Sequence, residues 1–194
     1  IQIKYRSVNP IFLIGFPRSG TTMLDMIIKS HSKIETIEEQ PLIENSSQII
    51  GGPYSIDRIE KMTIAEITDA RNNYIDARKQ FISQENFDFI TDRHPMNILR
   101  VPFIHRIFPE AKFILALRHP LDCILSCWMQ NFAPNPGMAN MTDLTRIAEL
   151  YDLSMKILDV SCQRYNLNIH HIKYENIVDN FEYEISKLLQ YFDL

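Results

Sequence analysis

Glycine, cysteine and tryptophan are scarce in this chain: five, three and one among 194 residues. Few glycines together with 45% hydrophobic residues exclude a low-complexity or disordered chain, and the length suffices for one domain with a real core. The three cysteines, Cys123, Cys127 and Cys162, are too few and odd in number for a disulfide framework. They fall in apolar helical patterns and read as small core residues of a reducing compartment, which makes a cytoplasmic location the expectation. Cys123 and Cys127, one helical turn apart, could hold half a metal site, but no cysteine or histidine partners stand at ligand spacing, so no metal is expected. Positive charge is not in excess either. A formal net charge of −4 offers no basic face for non-specific nucleic-acid binding, and no nucleic-acid partner is expected. No apolar run approaches the ~20 residues of a membrane span, and no signal-peptide pattern is seen. The chain begins just ahead of its first apolar strand and stops at Phe192-Asp193-Leu194, inside a helical pattern. Residues 1–194 are therefore expected to be a single domain cut from a longer chain, shortened at the C-terminus, with shortening at the N-terminus as a second expectation.

The most telling absence is local. Residues 11–31 read Ile-Phe-Leu-Ile-Gly-Phe-Pro-Arg-Ser-Gly-Thr-Thr-Met-Leu-Asp-Met-Ile-Ile-Lys-Ser-His. The apolar run from Ile11 to Ile14 reads as a buried strand. A tight loop with Gly15, Pro17 and Gly20 follows, and a helical pattern opens at Thr21 or Thr22. Strand, glycine loop and helix make a phosphate cradle, because amide groups and the helix dipole converge on the anion. The spacing of Gly15 and Gly20 matches the P-loop, yet the lysine that should follow the second glycine is missing: Thr21 and Thr22 stand there. Arg18, inside the loop, is the candidate replacement cation.

Strands and helices alternate along the rest. Strands are expected at Lys33–Ile37, Phe87–Asp92, Lys112–Leu117 and Ile169–Tyr174. Helical patterns cover Leu42–Ile50, Ile64–Phe81, Ile98–Phe108 (with Pro102 as a kink or an early turn), Pro120–Asn131, Leu144–Tyr165 and Glu182–Phe192. Residues 132–140, with two prolines and a glycine, read as a loop. Such alternation implies an α/β domain of three layers, P-loop-like, with a central, mostly parallel five-stranded sheet. Ligands bind such sheets at the carboxyl ends of the strands. That rule gathers Arg18, the segment after Ile37, Arg93, Arg118 and Tyr174 on one edge.

At these residues the chain resembles a known family, the sulfotransferases that use 3′-phosphoadenosine 5′-phosphosulfate (PAPS). Gly15-Phe-Pro-Arg-Ser-Gly-Thr-Thr22 resembles the loop that holds the 5′-phosphosulfate. Phe113-Ile-Leu-Ala-Leu-Arg-His-Pro-Leu-Asp-Cys-Ile-Leu-Ser126 resembles the 3′-phosphate segment, and Lys173-Tyr-Glu-Asn-Ile-Val178 a third signature. Asp92-Arg-His-Pro-Met-Asn, Ile107-Phe-Pro-Glu-Ala-Lys-Phe and Tyr183–Leu194 are similar to the branch with tyrosylprotein sulfotransferases and bacterial sulfotransferases fused to tetratricopeptide repeats. Two residues depart from the family's pattern. Arg93 stands where it has lysine, and His119 where an aspartate commonly follows the 3′-phosphate arginine. Members of the branch also usually continue past the position of Leu194.

The resemblance implies Arg18, Ser19, Gly20, Thr21, Thr22, Arg118, Ser126 and Tyr174 as donor-binding residues, and Glu39 and Arg93 as catalytic ones. Capping of the helix alone would explain one threonine hydroxyl. Arg118 could instead pair with Asp122; with Ser126, two turns into the next helix, it would make a second anion pocket, suited to a nucleotide phosphorylated at both 5′ and 3′ positions. Glu39 would act as general base, helped by partial burial that raises its pKa, with Glu38 as the fallback if the register slips by one. Arg93, always protonated, could supply only electrostatic stabilisation, or be spent on an ion pair with Asp92 or a neighbour. Of the six histidines, His31, His105, His170 and His171 are expected to be structural, and His94 to neighbour the site. Trp128 reads as core or as adjacent to adenine. The implied co-substrate is PAPS, without a metal, and the implied partner a hydroxyl-bearing acceptor: a peptide tyrosine, a saccharide or a small molecule. Tetratricopeptide repeats elsewhere in the full-length protein fit the same branch. The alternatives are a P-loop nucleotide or small-molecule kinase, which needs lysine at position 21, and a non-catalytic nucleotide-binding domain.

Overall fold

The computed structural model describes residues 10–51, 54–82, 87–130 and 141–194. Its elements follow as β1 (Ile11–Gly15), α1 (Thr21–Lys29), β2 (Ile34–Glu38), α2 (Leu42–Ser47), α3 (Ile56–Glu60), α4 (Ile64–Arg78), β3 (Phe89–Arg93), α5 (Val101–Ile107), β4 (Lys112–Leu117), α6 (Pro120–Trp128), α7 (Leu144–Arg164), β5 (Asn168–Lys173), α8 (Tyr174–Asp179) and α9 (Phe181–Tyr191). The sheet runs β2-β3-β1-β4-β5, and every pairing is parallel. All five strands therefore end on one edge, as expected.

The central strands are buried on both faces, which is why they read as unbroken apolar runs. Ile11 and Leu13 of β1, with Ile114 and Ala116 of β4, pack on Leu24 and Ile28 of α1 and Leu188 of α9. Phe12 and Ile14, with Phe113 and Leu115, face the opposite way, onto Tyr74 of α4 and Phe103, Ile104 and Ile107 of α5. Phe12, Tyr74 and Phe108 form a ring cluster there, with centroids 5.2 to 6.4 Å apart. A satellite core of Phe16, Cys123, Cys127, Met141 and Ile147 joins the loop after β1 to α6 and α7.

Several sequence expectations shift. β2 and β3 start and end later than expected, because their last residues, Glu38 and Arg93, still pair in register. Tyr174 opens α8 rather than closing β5, since the strand pairing stops at Lys173. Pro102 occupies an early turn of α5, where its missing N–H costs nothing. Helix α3 was not foreseen; it spans only Ile56–Glu60, too short for a clear period. α6 ends at Trp128; Asn131 and the expected loop over 132–140 lie outside the described residues. Cys123 and Cys127 are buried core thiols whose pKa values burial pushes up to about 11 and about 12, but Cys162 is exposed, contrary to expectation. Trp128 is half exposed rather than core. Among the described residues no helix is long and apolar enough to cross a membrane.

Candidate active site

The loop between β1 and α1 is shaped by close approach and by left-handed backbone. A Cβ on Gly15 would fall 2.7 Å from the Ala116 carbonyl oxygen, so only glycine lets this turn lie against β4. Arg18 and Gly20 both have positive φ, 70° and 95°. The Ser19 amide donates to the Phe16 carbonyl at 3.1 Å, closing the turn. Phe16 is pinned edge-on to Tyr151 of α7 at 5.0 Å, and the Cys127 thiol donates to the Pro17 carbonyl at 3.5 Å. The cap of α1 is Gly20 itself, with no side-chain capping bond, so neither Thr21 nor Thr22 is used up as a cap. The first-turn amides of α1 lack partners within the helix by its geometry. Beside them the Ser19 hydroxyl is buried without a hydrogen-bond partner.

On the β4–β5 side of the loop, Arg18 and Arg118 line one cleft of about 350 Å³ with Asp122, Leu125, Ser126, Met129 and Gln130. Ser126 accepts from Arg18 Nε at 3.0 Å, so its direct partner is the loop arginine and not Arg118. Arg118 donates to the Arg18 carbonyl at 3.3 Å and lies 3.7 Å from Asp122, the ion pair weighed against its anion-binding role. Its guanidinium sits 4.8 Å from the centre of the Tyr174 ring. Tyr174 in turn presses on the loop, because a Cβ on Gly20 would meet its ring at 3.0 Å. His119, where the family has aspartate, is exposed, and its amide donates to Glu175 at 2.8 Å.

On the β2–β3 side the organising group is Arg93, whose side chain is 6% exposed. Its Nη1 donates to Glu39 at 2.6 Å and lies 3.5 Å from the Thr22 hydroxyl; its Nη2 reaches Glu38 at 3.4 Å. Nε lies 3.3 Å from Asp25 of α1. Asp92 is not part of this group. Successive strand residues face opposite ways, and its carboxylate accepts from the Tyr74 hydroxyl at 3.0 Å on the other face.

The expected choice between Glu38 and Glu39 does not arise as a register question. Glu38 completes β2, and Glu39 then turns left-handed, φ 47°, with its amide donating to the Arg93 carbonyl at 2.8 Å. That turn breaks the strand period and brings both carboxylates to one guanidinium. Glu39 is the shorter contact, while Glu38 also bridges to Lys29 at 3.3 Å. The burial expected of Glu39 is absent, as its side chain is 59% exposed. Beneath Arg93, burial pushes the Asp25 carboxyl up to about 6. Of the three positive-φ residues other than glycine among the described residues, Arg18 and Glu39 both belong to this site. Such strain concentrates where the surrounding structure over-determines a functional geometry.

Asp25 is the site residue that the sequence reading missed. Its signal was there: Thr21, Leu24, Asp25 and Ile28 form the buried stripe of α1, and an aspartate in such a stripe needs a buried partner. His94 flanks the group, with burial lowering its pKa against the pull of Glu39 and Glu44. The other histidines are elsewhere. His31 accepts the Lys33 amide, His105 stacks near Tyr165, His170 lies against Tyr191, and His171 is exposed on β5. Among the described residues no group of three histidine, cysteine or acidic side chains could hold a metal ion.

Known proteins resemble this chain in sequence and in fold. An uncharacterized protein of Aquifex aeolicus is 29% identical over 97% of this chain and 26% of its own length. A putative protein-tyrosine sulfotransferase of Caenorhabditis briggsae is 24% identical over 95% of this chain and 65% of its own. The chain thus spans about a quarter of the first relative and just under two thirds of the second. Among solved structures, the sulfotransferase domain of a Synechococcus olefin synthase superposes with a TM-score of 0.63 at 19% identity, covering 96% of this chain and 74% of that one. A shikimate kinase of Bacteroides thetaiotaomicron reaches 0.50 at 15% identity, over 96% and 99% of the two chains. At such identities the likeness concerns the fold alone, and the fold does not separate sulfonate from phosphoryl transfer. The family match does: the model of the sulfotransferase family covers residues 10–194, and the chain belongs to that family.

Proposed function

We propose that this domain transfers a sulfonate group from PAPS to an acceptor hydroxyl, with Glu39 as base and Arg93 as the charge that stabilises transfer. One observation carries the reading. The loop after β1 is flanked by Arg93, with Thr22 and Glu39, on one side, and by a cleft that Arg18 shares with Arg118 on the other. An amide cradle with a two-arginine cleft beside it suits a nucleotide charged at both ends, and ATP carries no 3′-phosphate. The residues present fit the donor: the uncapped first turn of α1 and the unpartnered Ser19 hydroxyl offer hydrogen bonds to one anion, and Arg118 and Ser126 to the other.

PAPS, when bound, supplies the sulfonate, whose sulfur bonds to the acceptor oxygen as its bond to the bridging oxygen breaks, releasing adenosine 3′,5′-bisphosphate. Glu39 takes the proton of the attacking hydroxyl. Arg93 acts by charge and not by proton donation, and its contact with Thr22 keeps that charge at the loop end of the site. Most of the acceleration would come from positioning and charge stabilisation, as in phosphoryl transfer. The acceptor is a peptide tyrosine, a saccharide or a small alcohol, bound over the β2–β3 side where Glu39 points. A kinase reading draws on the shared fold, but position 21 holds threonine where a kinase loop places its lysine.

Isothermal titration tests the two-sided reading. Adenosine 3′,5′-bisphosphate should bind about 10- to 100-fold more tightly than adenosine 5′-monophosphate, the equivalent of charged hydrogen bonds worth ~1.5–3 kcal/mol. Arg118→Ala should erase most of that difference. Equal affinities for the two nucleotides would defeat the assignment; where the bisphosphate binds more tightly, a screen with labelled PAPS across acceptor classes identifies the acceptor.

A further inference from the structure

Asp25 is 2% exposed, on the buried stripe of α1. Its Oδ2 lies 3.3 Å from Arg93 Nε. Neither Asp25 Oδ1 nor Arg93 Nε has an aligned hydrogen-bond partner, so the two groups meet as charges. Arg93 is almost wholly removed from water, and among the described residues Asp25 is its one buried counter-charge. The other two, Glu38 and Glu39, have side chains 52% and 59% exposed.

We propose that Asp25 is a positioning residue, a buried carboxylate that holds Arg93 by its Nε edge so that Nη1 stays on Thr22 while Glu39 is free to leave it. This rests on the sulfonate-transfer reading of the site. A buried guanidinium needs a compensating charge, and removing one partner of a buried pair is costly. Glu39 now sits 2.6 Å from Nη1, and a base must turn from that contact to the acceptor's proton. If Glu39 were the main counter-charge, each turnover would strand the arginine. With Asp25 beneath it, Arg93 keeps a partner and its planar fork keeps its orientation. The role requires the ionised carboxylate.

The groups facing Asp25 are Arg93 from β3, Glu38 and Thr36 from β2, and Lys29 from its own helix. Burial raises its pKa to about 6, against the pull of Arg93 and Lys29 and with the push of Glu38. Above that pH the carboxylate is present; below it Asp25 protonates and Arg93 loses its buried partner.

Two measurements test this. The first is the ¹⁵N shift of Arg93 Nε, followed across the mildly acidic range in the wild type and in Asp25→Asn. An inflection near pH 6 in the wild type that vanishes in the variant is the expected result. The second is steady-state transfer from PAPS. Asp25→Asn should lower kcat by about 10- to 100-fold, leave the KM for PAPS within a few-fold, and remove the acid limb near pH 6. Asp25→Glu should recover part of kcat. A wild-type kcat in Asp25→Asn, or an Arg93 signal that is flat with pH, would overturn the proposal. The flat signal is read in the wild type alone, so a variant that fails to fold does not shield the idea. A wild type that shows the inflection but transfers no sulfonate to any acceptor would support the Asp25–Arg93 pairing and defeat the transfer reading.

Discussion

Arg93 touches Glu39, Glu38, Asp25 and Thr22 at once: Nη1 reaches Glu39 and Thr22, Nη2 reaches Glu38, and Nε lies beside Asp25. Lysine, which the resembled family places here, is a point charge on a flexible stem and has no such fork. The arginine can therefore tie α1, β2 and the loop into one group. This arrangement separates the roles of the two glutamates. Glu38 is half-exposed and shared with Lys29, the kind of ion pair that contributes ~0–1 kcal/mol, so Glu38→Gln should leave kcat within a few-fold. Glu39→Gln keeps the shape and removes the proton acceptor, and should cut kcat by about 10²- to 10⁴-fold. Initial rates under saturating PAPS would check both. The opposite ranking would move the base to Glu38.

The loop and the strand ends behave as one element, because Tyr174 at the start of α8 packs on Gly20 and carries Arg118 on its ring. Residues far apart in sequence are thus locked by one aromatic side chain. Gly20→Ala tests that coupling. Its φ of 95° disfavours any Cβ, and the new methyl would press the Tyr174 ring at 3.0 Å. The left-handed conformation alone costs ~1–2 kcal/mol, so Tm should fall by roughly 2–8 °C in a thermal melt. Affinity for adenosine 3′,5′-bisphosphate should drop in the same variant, since Tyr174 must shift and take Arg118 with it. A melt that matches the wild type, with unchanged nucleotide affinity, would mean that the loop and the cleft are independent.

At the scale of the molecule, the sheet's two faces have different characters. One carries Asp25 under the site; the other buries Asp92 completely, with the Tyr74 hydroxyl as its donor and burial pushing its pKa up to about 7. The unfolded chain loses that proton near pH 4. Between about 4 and 7 the folded state binds more protons than the unfolded state, so this group's contribution to stability falls as pH rises through that window and levels off above it. Asp92→Asn removes the buried ionisation. Urea denaturation midpoints for the two proteins should be closest in mild acid and diverge in the variant's favour toward alkaline pH. A difference that does not change with pH would show that folding leaves the Asp92 pKa where the unfolded chain has it.

The local geometry of the anion cradle was written in the sequence, because a glycine-punctuated turn between an apolar strand and a helix depends on neighbours a few residues apart. The parallel sheet was legible for a similar reason: β1 and β4 are apolar throughout, and strands buried on both faces leave that mark. The edge that gathers Arg18, the segment after Ile37, Arg93, Arg118 and Tyr174 followed from the alternation of strands and helices, which makes the strands parallel and brings their carboxyl ends together. What required the tertiary structure was partnership. Ser126 answers to Arg18, Glu38 and Glu39 share one guanidinium through a left-handed turn, and Asp25 supplies its buried counter-charge. Such pairings depend on distances between chain segments 54 to 108 residues apart, which no periodicity or motif spacing encodes.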